Sequence, residues 1–140
     1  MKKYLVIGNP IEHSLSPLIH NYWMEKYHIV DSIYEKRKVD EKDLKNIIKE
    51  VGEDKIVGVN VTVPFKKSII PFLDKLDFSA EETQSVNTVF KIDNKIIGYN
   101  TDSSGFGDTI REFYPWSNDS MMPLPLKGKC IFIIGAGGVT

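Results

Sequence analysis

Apolar and polar residues along this chain switch between a strand rhythm and a helix rhythm, and each switch marks an element. Tyr4 to Ile7 is a short apolar run halted by Gly8-Asn9-Pro10, the pattern of a buried strand. Ser16-Pro17 predicts a helix start, with the serine as N-cap and the proline at the first helical position. Leu18, Ile19, Tyr22, Trp23 and Tyr27 follow at helical spacing and define one apolar face. Ile33 to Val39 alternates apolar with charged residues, as a strand with one solvated face does. Asp40 is placed to cap the next helix, with Leu44, Ile47, Ile48 and Val51 as its buried stripe and Gly52 closing it. Ile56 to Val63 is a β-branched run ended by Pro64. Ser79-Ala80-Glu81-Glu82 fits a capping box and a short helix. Val86 to Ile92 and Lys95 to Tyr99 flank Asp93-Asn94, a two-residue hairpin signal. A last helix begins at Asp102 or Ser103, is lined by Phe106, Ile110 and Phe113, and ends before Pro115.

Strands alternating with helices predict an α/β fold: a mostly parallel sheet, one antiparallel strand from the hairpin, and helices on both faces. The first domain is expected to span residues 1–115. Trp116 to Lys127 has two prolines, Pro123 and Pro125, and no periodicity, so it reads as a linker. Residues 128–140 read as the start of a second domain. The apolar run Lys129 to Ile134 looks like a buried parallel strand, and it leads into Gly135-Ala136-Gly137-Gly138, the opening turn of a dinucleotide-binding βαβ unit. The helix and ribose-reading residue that complete such a unit would lie beyond Thr140.

Composition narrows the function classes. Hydrophobic residues at 41% and charged residues at 26% fit an ordinary globular protein. A net charge of −1, with lysines and arginines dispersed, argues against a nucleic-acid footprint. One cysteine, Cys130, excludes an internal disulfide and fits a reducing cytoplasm. No apolar run approaches the ~20 residues of a membrane span.

In open α/β sheets ligands bind outside the carboxyl ends of the strands, so the polar residues there are the candidates. His13-Ser14-Leu15-Ser16-Pro17 sets two hydroxyls before a helix N-terminus, where an anion such as a carboxylate is favoured; Ser16 could equally be only a cap. Asn60 and Thr62 share a strand face, with Lys66 just beyond: an amide, a hydroxyl and an ammonium suited to a polyhydroxy ligand. Asn87 begins a strand, and Asp102 joins a strand end to a helix start. A lysine and a carboxylate from separate strand ends can meet across one cleft and exchange a proton with a reacting hydroxyl or carbonyl. His20 and His28 read as structural, and His13 as a residue that could orient the serine loop. No metal-ligand spacing, nucleophile elbow or Walker A loop is present. The residues alone lead to an α/β domain with a cleft for a polyhydroxy acid, joined to a nucleotide-binding unit.

In this order and spacing the clusters resemble the shikimate dehydrogenase family. Gly8-Asn9-Pro10-Ile11-Glu12-His13-Ser14-Leu15-Ser16-Pro17 looks like its N-terminal signature. Asn60 to Lys66, Val86-Asn87-Thr88 and Asn100-Thr101-Asp102 are similar to its next three motifs, and Lys127-Gly128-Lys129 into Gly135 to Gly138 to its entry into the cofactor domain. The resemblance implies reversible, NADPH-dependent reduction of 3-dehydroshikimate to shikimate, a step toward aromatic amino acids, with a small molecule as partner and a monomer or homodimer as assembly. It implies that Ser14 and Ser16 hold the carboxylate, that Asn60, Thr62 and Asn87 bind ring hydroxyls, and that Lys66 and Asp102 are the catalytic pair. Gly135, Ala136, Gly137 and Gly138 would contact the cofactor. Ser85 stands where the family usually has a smaller residue. A quinate/shikimate dehydrogenase and a non-enzymatic small-molecule binder are the alternatives. These 140 residues alone are expected to show no dehydrogenase activity, because nothing in them positions a nicotinamide.

Overall fold

A six-stranded sheet organises the chain, seen in a computed structural model that describes residues 1–113 together with Gly128, Cys130, Ile131, Phe132 and Ile134. The strands are β1 (Lys2–Gly8), β2 (Ser32–Lys38), β3 (Gly58–Val61), β4 (Lys75–Leu76), β5 (Thr88–Ile92) and β6 (Lys95–Tyr99), in the order β2-β1-β3-β5-β6-β4. β1 pairs parallel with β2 and β3, and β4 with β6. β5 runs antiparallel to both its neighbours, β3 and β6. One reversed strand in an otherwise parallel sheet is the arrangement the sequence predicts. Asp93 and Asn94 take φ of 48° and 60°, the paired left-handed residues of a tight hairpin turn.

Side-chain alternation along β1 divides the interior in two. Leu5 and Ile7 join the main core with Leu44, Ile47, Ile48 and Val51 of α2 (Leu44–Gly52), the stripe expected from the sequence. Val59, Val61, Val86 and Val89 complete that core. On the opposite face Val6, Ile11 and Tyr34 form a smaller cluster with Tyr4 and with Met24 of α1 (Ser16–Lys26). Helices therefore lie on both faces.

Several expectations are corrected. The stripe Leu18, Ile19, Tyr22, Trp23 and Tyr27 does not face the sheet: Leu18 is 71% exposed and Trp23 48%. α1 docks instead through His20, Asn21 and Met24, which bond to, stack on or pack against Tyr34 and its neighbours. Ser16 is not the N-cap. Leu15 occupies that position, and Ser14 Oγ accepts from Ser16 N at 3.3 Å, so the cap role has moved two residues upstream. β3 covers only Gly58–Val61, because Thr62 already turns the chain, accepting from Phe65 N. The short helix α3 (Phe78–Thr83) is capped by Asp77, not Ser79; the extended Asp77 backbone turns its carboxylate onto Ser79 N and Oγ. Val86 and Asn87 precede β5 rather than open it. α4 (Asp102–Phe113) carries Phe106 and Phe113 exposed, since no other described element lies over that face. Cys130, Ile131, Phe132 and Ile134 are exposed and outside any strand, having no neighbouring strand among the described residues. The linker at 116–127 and the turn Gly135 to Gly138 lie outside the described residues.

Candidate functional site

The topology brings the candidates to one sheet edge. β1, β3 and β6 run in the same direction and β5 in the reverse, so the ends of β1, β3 and β6 lie beside the start of β5. Ser14 and Ser16 follow β1, Thr62 and Lys66 follow β3, Asn87 precedes β5, and Asp102 follows β6.

Ser14, Ser16 and Thr62 line one small cavity of about 280 Å³ with Val6, Pro10, Ile11 and His13. Ser14 and Ser16 at the start of α1, with Thr62 across the cavity, offer three hydroxyls to a carboxylate, and the helix N-terminus favours its charge. Ser14 is anchored through its own N–H, which donates to Ile11 O at 3.1 Å. His13 lines this cavity, but the described residues include no hydrogen bond from its ring to the serine loop. His20 takes that part: its Nδ1–H donates to Ser16 O at 2.8 Å.

Lys66 and Asp102 meet directly. Nζ donates to Asp102 Oδ2 at 2.5 Å, with the two side chains 16% and 26% exposed. Two anchors hold the pair. Val86 N donates to Lys66 O at 2.8 Å, tying the lysine backbone to the segment before β5. Asp102 is held by Asn100, 3% exposed, whose Oδ1 accepts from Asp102 N at 2.9 Å and Ser103 N at 3.2 Å. Asn100 Nδ2 donates to Ser85 O at 3.0 Å. The cap of α4 is thus Asn100, where the sequence suggests Asp102 or Ser103, and the Asp102 carboxylate is left free to pair with Lys66.

The asparagines sit between these two ends. Asn60 Nδ2 donates to Asn87 O at 3.2 Å and Thr88 Oγ1 at 3.1 Å, while Oδ1 accepts from Tyr34 OH at 2.6 Å. Asn87 Oδ1 accepts from Thr88 Oγ1 and Thr101 N, and its Nδ2 donates to Thr101 Oγ1 at 2.8 Å. By donor and acceptor count, Asn87 keeps one N–H for a ligand and Asn60 one lone pair. Thr62 lines the serine cavity, whereas Asn60 lines a neighbouring one with Tyr34 and Thr88. Sequence reasoning passes over Tyr34 and names Asn100 only as part of the Asn100-Thr101-Asp102 motif, without a role. Tyr34 is a buried phenol that needs a partner, the only signal that could have marked it.

Known proteins resemble this chain in sequence and in fold. Residues 6–89 match the family model described as the shikimate dehydrogenase substrate binding domain. A shikimate dehydrogenase (NADP(+)) from Pelagibacter ubique (strain HTCC1062) is 50% identical over 138 residues, covering 99% of this chain and 48% of its own length. Shikimate 5-dehydrogenase from Listeria monocytogenes, solved in complex with shikimate and NAD, superimposes with a TM-score of 0.75 at 34% identity, over 81% of this chain and 39% of that one. The enzyme from Thermus thermophilus, in complex with NADP(H) and shikimate, gives 0.73 at 32% identity, over 81% and 42%. The chain spans about half the length of the curated relatives it matches. With its strand order, its serine cavity and its lysine–aspartate pair on one sheet edge, the chain belongs to the shikimate dehydrogenase substrate binding domain family.

Proposed function

We propose that this chain is the substrate-binding part of an NADP-dependent shikimate dehydrogenase, which reversibly reduces 3-dehydroshikimate to shikimate. The observation that carries the reading is the Lys66 Nζ–Asp102 Oδ2 contact at 2.5 Å, largely shielded from water, on the same sheet edge as the serine cavity.

Ser14, Ser16 and Thr62 take the carboxylate, Asn87 donates to a ring hydroxyl, and Asn60 accepts from one. Lys66 and Asp102 sit where the reacting oxygen is held. Reduction of a ring carbonyl puts negative charge on that oxygen, which then needs a proton. In an ion pair the ammonium is the group with protons to give, while the ionised carboxylate only accepts. Lys66 therefore donates to the oxygen, and Asp102 aims Nζ and offsets its charge. In the reverse direction the pair takes the hydroxyl proton back.

This pair moves protons and supplies no electrons, which fits a partner that delivers hydride. A bound nicotinamide would supply that hydride. The contact this chain would contribute is the backbone of Gly135, Ala136, Gly137 and Gly138, outside the described residues. The rest of the dinucleotide would be held by sequence that corresponds to the second half of the relatives.

The test is shikimate oxidation with NADP+ by the full-length protein, followed by NADPH absorbance. Lys66→Met is expected to lower kcat by about 10²–10⁴-fold with shikimate still bound. Turnover in Lys66→Met within about threefold of the parent would remove Lys66 from the chemistry.

A further inference from the structure

Tyr34 lies on β2, across β1 from the strand that leads into Lys66, and it touches Asn60 on one side and His20 on the other. Its side chain is 4% exposed. Its hydroxyl donates to Asn60 Oδ1 at 2.6 Å. Its ring stacks on His20 with centroids 4.1 Å apart and planes 10° from parallel, and His20 in turn holds Ser16 O. The Asn21 amide brackets its backbone, donating to Tyr34 O at 2.8 Å and accepting from Tyr34 N at 2.9 Å. Burial pushes the phenol up to about 12, with the Ser16 hydroxyl acting in the opposite direction. The group is therefore a donor at any physiological pH.

The Asn87 carbonyl only accepts, so it turns the Asn60 NH₂ toward itself and leaves Oδ1 to accept from Tyr34 OH. With Tyr34 OH against Oδ1, both Nδ2 hydrogens of Asn60 are directed to Asn87 O and Thr88 Oγ1. A flipped amide would set its oxygen against the Asn87 carbonyl and lose that bond, and the Tyr34 hydroxyl would then have to accept rather than donate. The oriented amide is also what fixes Thr88 Oγ1, and through it Asn87 Oδ1.

We propose that Tyr34 is a positioning residue of the substrate site: its hydroxyl pins Asn60 Oδ1 and so holds the oriented amide in place, while its ring stacks on His20, which holds Ser16 O. The inference rests on the shikimate-binding reading above.

Tyr34→Phe removes the hydroxyl and keeps the ring stacked on His20, so the fold is retained. The Asn60 side-chain NH₂ signals, recorded without ligand, are expected to broaden or shift in Tyr34→Phe, while backbone signals of α2 stay in place. The shikimate Kd is expected to rise about five- to tenfold, as for one lost hydrogen bond. In an Asn60→Ala background the same change is expected to add less than about twofold, because its route to the ligand is gone. Unchanged Asn60 signals, or an equal loss of affinity with and without Asn60, overturns the proposal. If the parent chain binds no shikimate, the substrate reading fails, and the Asn60 signals still decide whether Tyr34 locks the amide.

Discussion

Asn100→Ala strikes the residue that joins the fold to the reacting pair. In the parent, Asn100 is buried, its amide NH₂ donates to Ser85 O, and its Oδ1 caps α4 through Asp102 N and Ser103 N. Alanine removes all three bonds. Loss of an N-cap oxygen costs about 1 kcal/mol. Loss of the donor to Ser85 O leaves a buried carbonyl with a weaker contact from Thr83 Oγ1 at 3.3 Å, which places that cost at the low end of about 1–3 kcal/mol. The sum is about 2–3 kcal/mol. With a urea m-value of about 2 kcal/mol/M, the unfolding midpoint should fall by about 1–1.5 M. Urea denaturation followed by far-UV circular dichroism, fitted with a shared m-value, measures it. Asn100→Asp keeps the cap oxygen but faces a carboxylate to the Ser85 carbonyl, so it should recover the cap contribution and no more. A loss in Asn100→Ala below about 1 kcal/mol would refute the claim that this amide holds the α4 start.

Other outcomes follow from single contacts. Ser85 Oγ is buried with no hydrogen-bond partner among the described residues. Ser85→Ala should therefore leave the urea midpoint unchanged or raise it, by up to about 1 kcal/mol; a clear fall would show a partner for that hydroxyl. Asp77 accepts from Ser79 N and Oγ, which holds its carboxyl below its ordinary 3.8. A depressed folded value contributes stability above 3.8 that is lost as pH falls through the lower folded value. Parent and Asp77→Ala should differ by a constant amount near neutrality and converge in that acidic range; a gap that widens on acidification would contradict the cap. Gly98→Ala places a Cβ 2.6 Å from Leu73 Cδ1 and 2.9 Å from Val86 Cγ2. It should destabilise by about 1–3 kcal/mol, and an unchanged midpoint would mean that the β6 packing yields.

What the sequence revealed depended on whether a signal was local. The α2 stripe and the Asp93-Asn94 turn are set by neighbours within a few residues, and both appear as read. Lys66 and Asp102 were legible as strand-end residues, and the antiparallel β5 is what brings Asn87 to the same edge. The α1 stripe misled because helical periodicity identifies an apolar face without saying which layer covers it. The contacts to the sheet come from His20, Asn21 and Met24, a set too polar to count as a buried stripe. Caps were misplaced by a residue or two because Ser14, Asp77 and Asn100 compete with Ser16, Ser79 and Asp102 for the same free N–H groups, and backbone angles decide between them. Tyr34 was illegible because its partners, Asn60 and His20, lie in other elements.

The most direct test of the account is a shikimate titration of this chain by two-dimensional amide NMR, with Lys66→Ala as the control. Saturable shifts are expected, centred on Ser14 to Ser16, Asn60 to Lys66, Asn87 and Asp102, and weakened in Lys66→Ala. No shifts up to high millimolar shikimate, or shifts that miss this sheet edge, would contradict the claim that these residues form a preassembled substrate site.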